Sequence, residues 1–215
     1  MVKYQPLAAG MAASLILAAP LLASTIRVPA NQPTLQQGIN AAADGDTVLV
    51  ASGTYSGPNN QNLDFLGKDL VLRSESGALV TIIAPTVGRG FNLHSGETAD
   101  AIIDGFTVTG ASISGDPDTG AGISCIGSSP TIRNCIITDN FSFWDGAGIS
   151  LINSAATFEN CVISNNSAAR NAGGVLGSNV HTVFSHCTIS GNDAGAFDFG
   201  SGGGVYAGGW LFFID

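Results

Sequence analysis

Residues 130–140 read PTIRNCIITDN, residues 156–166 read ATFENCVISNN and residues 182–192 read TVFSHCTISGN. The segments recur every 26 residues, which puts Cys135, Cys161 and Cys187 in one phase and closes each copy with Asn140, Asn166 or Asn192. Three copies at a fixed period of this size mark a repeat architecture, in which each unit buries its apolar face by stacking on its neighbours.

A second piece recurs between them: GAGIS at 120–124, GAGISL at 146–151, AGGVL at 172–176 and GGGVY at 202–206, the last delayed by four residues. A weaker copy lies upstream, where Phe106 of IIDGFTVTG takes the cysteine's place and GFNLHSG from Gly90 takes the place of GAGIS. Each unit carries short alternating runs, such as Ile132, Cys135 and Ile137, punctuated by Gly, Asn, Ser or Asp, and these read as strands joined by tight turns. At roughly 3.3 Å per strand residue, one unit traces about one turn of a three-sided coil and returns about 4.8 Å along the axis. Equivalent residues then stack in columns, and the right-handed rule for parallel crossovers sets the hand of the coil.

The competing architecture is a leucine-rich repeat, because Ile132, Cys135, Ile137 and Asn140 fit its skeleton in type and spacing. The residues after the asparagine decide between them. FSFWDGAGIS and SAARNAGGVL are glycine-rich and strand-like, where a leucine-rich repeat continues into an apolar helical segment. The expected fold is therefore all-β, a single-stranded right-handed parallel β-helix.

Through SPTIRNCIITDN, IIDGFTVTG and DGDTVLVASGTY, from about Thr25 to Gly209, the chain resembles the right-handed β-helix repeat family of the pectin-lyase-like superfamily. Similar repeats serve polysaccharide lyases, hydrolases, epimerases, adhesins and exported proteins without known activity, so the resemblance implies a fold and leaves function open. It also implies that TLQQGINAAA, at 34–43, is a short amino-terminal capping helix, placed immediately before a first strand at Thr47 to Val50. Leu35 and Ile39 fall on one side of that helix.

Before this domain, residues 1–24 read as a secretory signal peptide: Lys3, an apolar stretch from Leu7 to Leu22 broken by Pro20, then the small Ala23 and Ser24. Removal of Lys3 leaves six basic residues against sixteen acidic ones, with no lysine after Lys68. That balance disfavours nucleic-acid and anionic-membrane binding, and no stable membrane span is expected after signal cleavage. The expected destination is secretion or the cell surface. At the other end, residues 25–209 give way to Trp210, Leu211, Phe212, Phe213, Ile214 and Asp215 where another PTIxNC segment is due. Either this apolar tail folds back over the last coil or the sequence is a piece of a longer protein, the reading favoured here because terminal repeats normally carry a polar cap. An uncapped last coil invites self-association through its open end.

The candidates for chemistry are sparse. Cys135, Cys161 and Cys187 are expected inside the coil as free, apolar filler, since in-register side chains suit a disulfide torsion poorly. Asn140, Asn166 and Asn192 are expected at turns, tolerating left-handed backbone and bonding along the stack. Aligning Phe106 with Cys135 brings Asp104, Arg133, Glu159 and Ser185 into one outward column, with the two carboxylates two strand spacings, roughly 9.6 Å, apart. Asp104, Arg133 and Glu159 are thus the catalytic candidates for a polysaccharide lyase or glycoside hydrolase. The plainer reading is that Arg133 neutralises both acidic neighbours. Asp116 and Asp118 of SGDPDTG are candidates for calcium, otherwise turn formers; no other cofactor is implied. Phe141, Phe143 and Trp144 form an aromatic loop with Arg170 one repeat after Trp144; the rings are expected to fold onto the coil, with a platform for sugars as the alternative. Neither a paired-aspartate motif nor Gly-His-Gly occurs, so the leading expectation is a non-catalytic exported module for adhesion or polysaccharide contact. A lyase or hydrolase is the alternative, and a structural spacer of a longer surface protein a further one.

Overall fold

The computed structural model describes Met1 and residues 22–115, 119–195 and 201–215. The central coils contribute four short strands each: Ile123–Ile126, Thr131–Arg133, Ile136–Thr138 and Phe141–Ser142 in one, with their counterparts 26 residues later at Ile149–Ile152, Thr157–Glu159, Val162–Ser164 and Ser167–Ala168, whereas the amino-terminal coils contribute fewer. The ladders between these strands are parallel, so Ile132 lies over Phe158 and Ile137 over Ile163, and the register shifts at Ser178/Val180, where Val175–Ser185 meets the last strand. The result is a solenoid of about seven turns. The four stacks form three sheets rather than three plain sides, because the long strand Val175–Ser185 continues from the first stack into the second and joins them into one sheet of eleven strands.

The core is a set of inward columns. In the second stack, Val48, Leu72, Ile103, Ile132, Phe158 and Phe184 follow one another and are all buried. In the third stack, Ile83, Val108, Ile137 and Ile163 do the same. The Phe158 and Phe184 rings stack 4.8 Å apart and 9° from parallel, matching the strand spacing that in-register stacking imposes. The corner between these stacks is turned by a column in left-handed backbone, Gly105, Asn134, Asn160 and His186, with φ from 52° to 82°. The recurring second glycine of GAGIS has a different cause: a Cβ on Gly148 would sit 2.6 Å from the carbonyl oxygen of Gly174 in the next coil. Only glycine lets those coils close.

At the amino-terminal end the helix Leu35–Ala41 covers the first coil, with Leu35 and Ile39 buried. Thr34 caps its start by accepting from the Gln37 N–H. Lys68 closes its end, donating to the carbonyls of Ile39, Asn40 and Ala42 at 2.9–3.1 Å. The helix does not stand ahead of the first strand, as the sequence pattern suggests. Thr25–Val28 forms a strand before it and pairs with Thr47–Val50, so the helix is an excursion between the first two rungs. At the carboxyl end Val205–Ile214 forms a strand on Val175–Ser185, and Phe213 lands on Phe184 with rings 5.3 Å apart. Trp210–Ile214 thus neither folds back over the coil nor departs from its path; it occupies the second-stack position where a PTIxNC segment is due.

Candidate functional site

The outward column forms as its spacing predicts, with Asp104, Arg133, Glu159 and Ser185 in successive register positions. Its charges are not shared as expected. Arg133 binds Asp104 alone, through Nε and Nη2 at 3.0 Å each to Oδ2, while Asn134 Nδ2 donates to Oδ1 at 2.8 Å. Both oxygens of Asp104 are therefore engaged, and Glu159 stands one rung beyond the arginine without an ion pair to it. A glycoside hydrolase of the inverting kind needs one carboxyl free to give a proton and one free to activate water. Asp104 is committed to a structural ion pair. Beside it, a cleft of about 440 Å³ is lined by Arg73, Glu75, Gly77, Asp104, Gly105 and Asn134.

The aromatic loop behaves differently from the favoured expectation. On the short strand Phe141–Ser142, Ser142 turns inward and is buried, which sends Phe141 and the following Phe143 outward, 38% and 41% exposed. Trp144 is half-buried, met edge-on by Phe143 at 5.6 Å and covered by the Arg170 guanidinium 5.1 Å from its ring centre. The rings of Phe141 and Phe143 thus present apolar surface, and Trp144 braces the loop. The rung-neighbours of Phe141 are Ser112 and Ser167. Ser112 in turn lines a cleft of about 470 Å³ with Asn62, Thr86, Arg89, Ser114 and Gly115, so a polar hollow adjoins the exposed rings.

Cys135 and Cys161 are buried, Cys187 is half-buried, and all are free thiols, as is Cys125 in a neighbouring inward column between Leu93 and Leu151. Burial pushes the Cys125 thiol well up, aided by the charge of Glu97. Cys161 is pushed up to about 12, chiefly by its neighbour Cys135, with burial adding to it. For Cys135 burial opposes ionisation, but hydrogen bonds with Cys161 and the backbone of Phe106 and Gly105 outweigh it and lower the thiol overall, so its protection from reagents rests on its burial. The asparagines form a ladder: Asn140 Nδ2 donates to Asn166 Oδ1 and Asn166 Nδ2 to Asn192 Oδ1, each at 2.9 Å, inside the coil. Their own backbone is not left-handed; that conformation falls one residue earlier, at Asp139, Asn165 and Gly191. The turn and the ladder are adjacent residues with separate tasks.

Asp116 and Asp118 lie outside the described residues. Among the described residues no group of three His, Cys, Asp or Glu is placed to hold a metal ion, and no helix is long and apolar enough to cross a membrane. One buried carboxylate carries no signal in the sequence pattern. Glu97 is almost wholly inaccessible and accepts from Ser128 Oγ at 2.6 Å and from the N–H groups of Gly67 and Ser95 at 2.9 and 3.0 Å. Burial works against its charge, but these donors outweigh it and hold its carboxyl below the usual range. It ties three coils together at one corner.

The family described as right handed beta helix region matches residues 63–209. No curated protein and no solved structure matches the chain.

Proposed function

Because the chain belongs to the right-handed β-helix family, and family membership specifies scaffold rather than chemistry, we propose that it is a non-catalytic, exported β-helix module that contacts polysaccharide or cell-surface glycan. The observation that carries this reading is the pairing of exposed Phe141 and Phe143 with the polar cleft that begins at Ser112 on the adjacent rung. A pyranose ring offers an apolar face that stacks on an aromatic side chain and hydroxyls that bond to hydroxyl, amide and guanidinium groups. Phe141 and Phe143 supply the first; Ser112, Asn62 and Arg89 supply the second. The rigid coil holds both in place, as a contact surface requires.

The commitment of Asp104 to Arg133 and Asn134 favours binding over hydrolysis. Export follows from the apolar leader with its small-residue end. The test is a glycan array probed with the purified chain and with a Phe141→Ser/Phe143→Ser double variant. Defined glycan signals are expected, lost in the double variant while its circular dichroism is kept. Signals equal in both proteins would place the contact elsewhere on the coil and defeat the assignment to the aromatic loop.

A further inference from the structure

Of the six basic residues outside the leader, five are engaged by the protein itself. Arg27 pairs with Glu75, Arg133 with Asp104, and Lys68 with the carbonyls that end the helix. The Arg170 guanidinium lies over the Trp144 ring, and Arg89 donates from Nε to the Thr119 carbonyl at 3.2 Å. Arg73 has no such partner among the described residues. It lines the second-stack cleft, which shares no residue with the cleft beside Phe141.

Around the aromatic loop the uncompensated charge is acidic. Asp193 continues the outward column of Ser112, Phe141 and Ser167 and is exposed, two rungs or roughly 9.6 Å beyond Phe141. Asp139 is exposed at the turn two residues before Phe141, and Asp145 follows Trp144. Asp139 accepts from the Thr138 hydroxyl at 2.9 Å, and Asp145 from the N–H and Nδ2 of Asn171 at 2.8 and 3.0 Å. Neither these two nor Asp193 has a cation beside it among the described residues. Residues 116–118 and 196–200, outside the described residues, contain no lysine or arginine in sequence and add Asp116, Asp118 and Asp198.

A uronate or sulfated polysaccharide carries negative charge on many of its sugars. Tight recognition of such a polymer needs free cations, arginine above all, whose planar fork matches a carboxylate or sulfate. The cleft beside Phe141 holds one cation, Arg89, and it is already engaged. The rest of what this face presents is neutral: the rings of Phe141 and Phe143, the exposed Val87 at the cleft, and the polar groups of Ser112, Ser114 and Asn62. We propose that the ligand of the aromatic loop is an uncharged polysaccharide, and that Asp139, Asp145 and Asp193 turn acidic polymers away by like charge. The inference rests on the reading of this loop as a glycan contact. Each repulsion between exposed charges is weak and is screened over about 8 Å at physiological salt. Selectivity therefore accumulates over the many charges of a polymer and fades as salt is added.

The test measures binding of the purified chain to immobilised polymers matched in backbone and different in charge, at low and at high salt. Hydroxyethyl-cellulose is set against carboxymethyl-cellulose, and methyl-esterified against de-esterified polygalacturonan. Binding to the uncharged member of at least one pair is expected to be roughly tenfold tighter at low salt, with the gap closing as salt rises. An Asp139→Asn/Asp193→Lys variant is expected to lose that preference with its circular dichroism kept, since asparagine tolerates the left-handed backbone of residue 139, φ 55°. A preference unmoved by salt and by this variant overturns the role of the aspartates. Equal or tighter binding to the acidic members, lost in Phe141→Ser/Phe143→Ser, overturns the inference and leaves the glycan contact standing. Binding indifferent to the two phenylalanines, or none to any polymer, removes the contact and this inference with it.

Discussion

The asparagine ladder makes the strongest demand on stability. Asn166 is fully buried and makes four side-chain hydrogen bonds: Nδ2 donates to the Ile137 carbonyl at 3.0 Å and to Asn192 Oδ1 at 2.9 Å, and Oδ1 accepts from the N–H and Nδ2 of Asn140 at 3.1 and 2.9 Å. In Asn166→Ala some of these partners recover. Asn140 Nδ2 keeps the Val108 carbonyl, and Asn192 Oδ1 keeps the Asn166 N–H. The Asn140 N–H loses its partner out of reach of water, whereas the Ile137 carbonyl loses one of two and keeps the Ser164 N–H of the ladder. At about 1–3 kcal/mol for the stranded N–H and about 1 kcal/mol for the lost bonds and the small void, the loss is about 2–4 kcal/mol. That is a large share of the ~5–15 kcal/mol that holds a domain folded. Asn192 lies at the half-buried end of the ladder, where water reaches the freed groups, and Asn192→Ala should cost only ~1–2 kcal/mol. Asn166→Asp should fare no better than alanine, because a carboxylate cannot donate to Ile137 or Asn192. Urea unfolding followed by circular dichroism measures all three. A loss under ~1 kcal/mol in Asn166→Ala, or equal losses at 166 and 192, would refute the ladder as a buried, mutually satisfied stack.

Other consequences are as definite. Gly38→Ala should destabilise despite the better helix propensity of alanine, by up to ~2 kcal/mol, because the new Cβ would lie 2.8 Å from Val28 Cγ2 and 2.9 Å from Val48 Cγ1; a rise in melting temperature would contradict the close docking of the helix. Glu97→Gln removes the charge that Ser128, Gly67 and Ser95 hold and should cost ~1.5–3 kcal/mol at neutral pH. Since the folded carboxyl is held below its unfolded value, its stabilisation is complete above about pH 5 and fades as pH falls through the folded value, so melting curves of wild type and Glu97→Gln should converge in acid and stay parallel above it. A gap that persists unchanged into strong acid would argue against that linkage. The thiols should be inert to a disulfide reagent in the native protein at neutral pH, apart from slow reaction at half-buried Cys187, and all four should titrate in urea. Rapid native labelling of Cys135 or Cys161 would mean that those columns open.

The fold was legible because a 26-residue period places chemically equal residues in equal environments. Ile132, Ile137, Cys135 and Asn140 disclose their inward direction by recurring. Features that occur once lack that signal. Thr25–Val28 has no repeat partner in sequence and is a strand only because Thr47–Val50 lies beside it. Glu97 belongs to a corner three residues longer than its counterpart in the next coil, so no column announced it, and the serine that binds it is 31 residues away. Asn165 and Asn166 are the same residue type, and only the backbone separates the left-handed turn from the ladder. The strand Val205–Ile214 continues the coil with side chains that no longer follow the repeat, because backbone pairing tolerates a change of side chains that pattern matching does not. The exposure of Phe141 and Phe143 depends on the inward turn of Ser142, a matter of strand phase that composition does not settle.

In the proposed function this coil makes contact without doing chemistry on what it touches. The most direct test incubates the purified chain with a panel of soluble polysaccharides, with and without calcium, and follows retention on each polymer alongside release of unsaturated products and reducing ends. Retention of the chain on at least one polymer, with no products above the background of an Asp104→Asn/Glu159→Gln control, is the predicted result. Time-dependent cleavage that this control abolishes would contradict it and return Asp104 and Glu159 to the centre of a catalytic site.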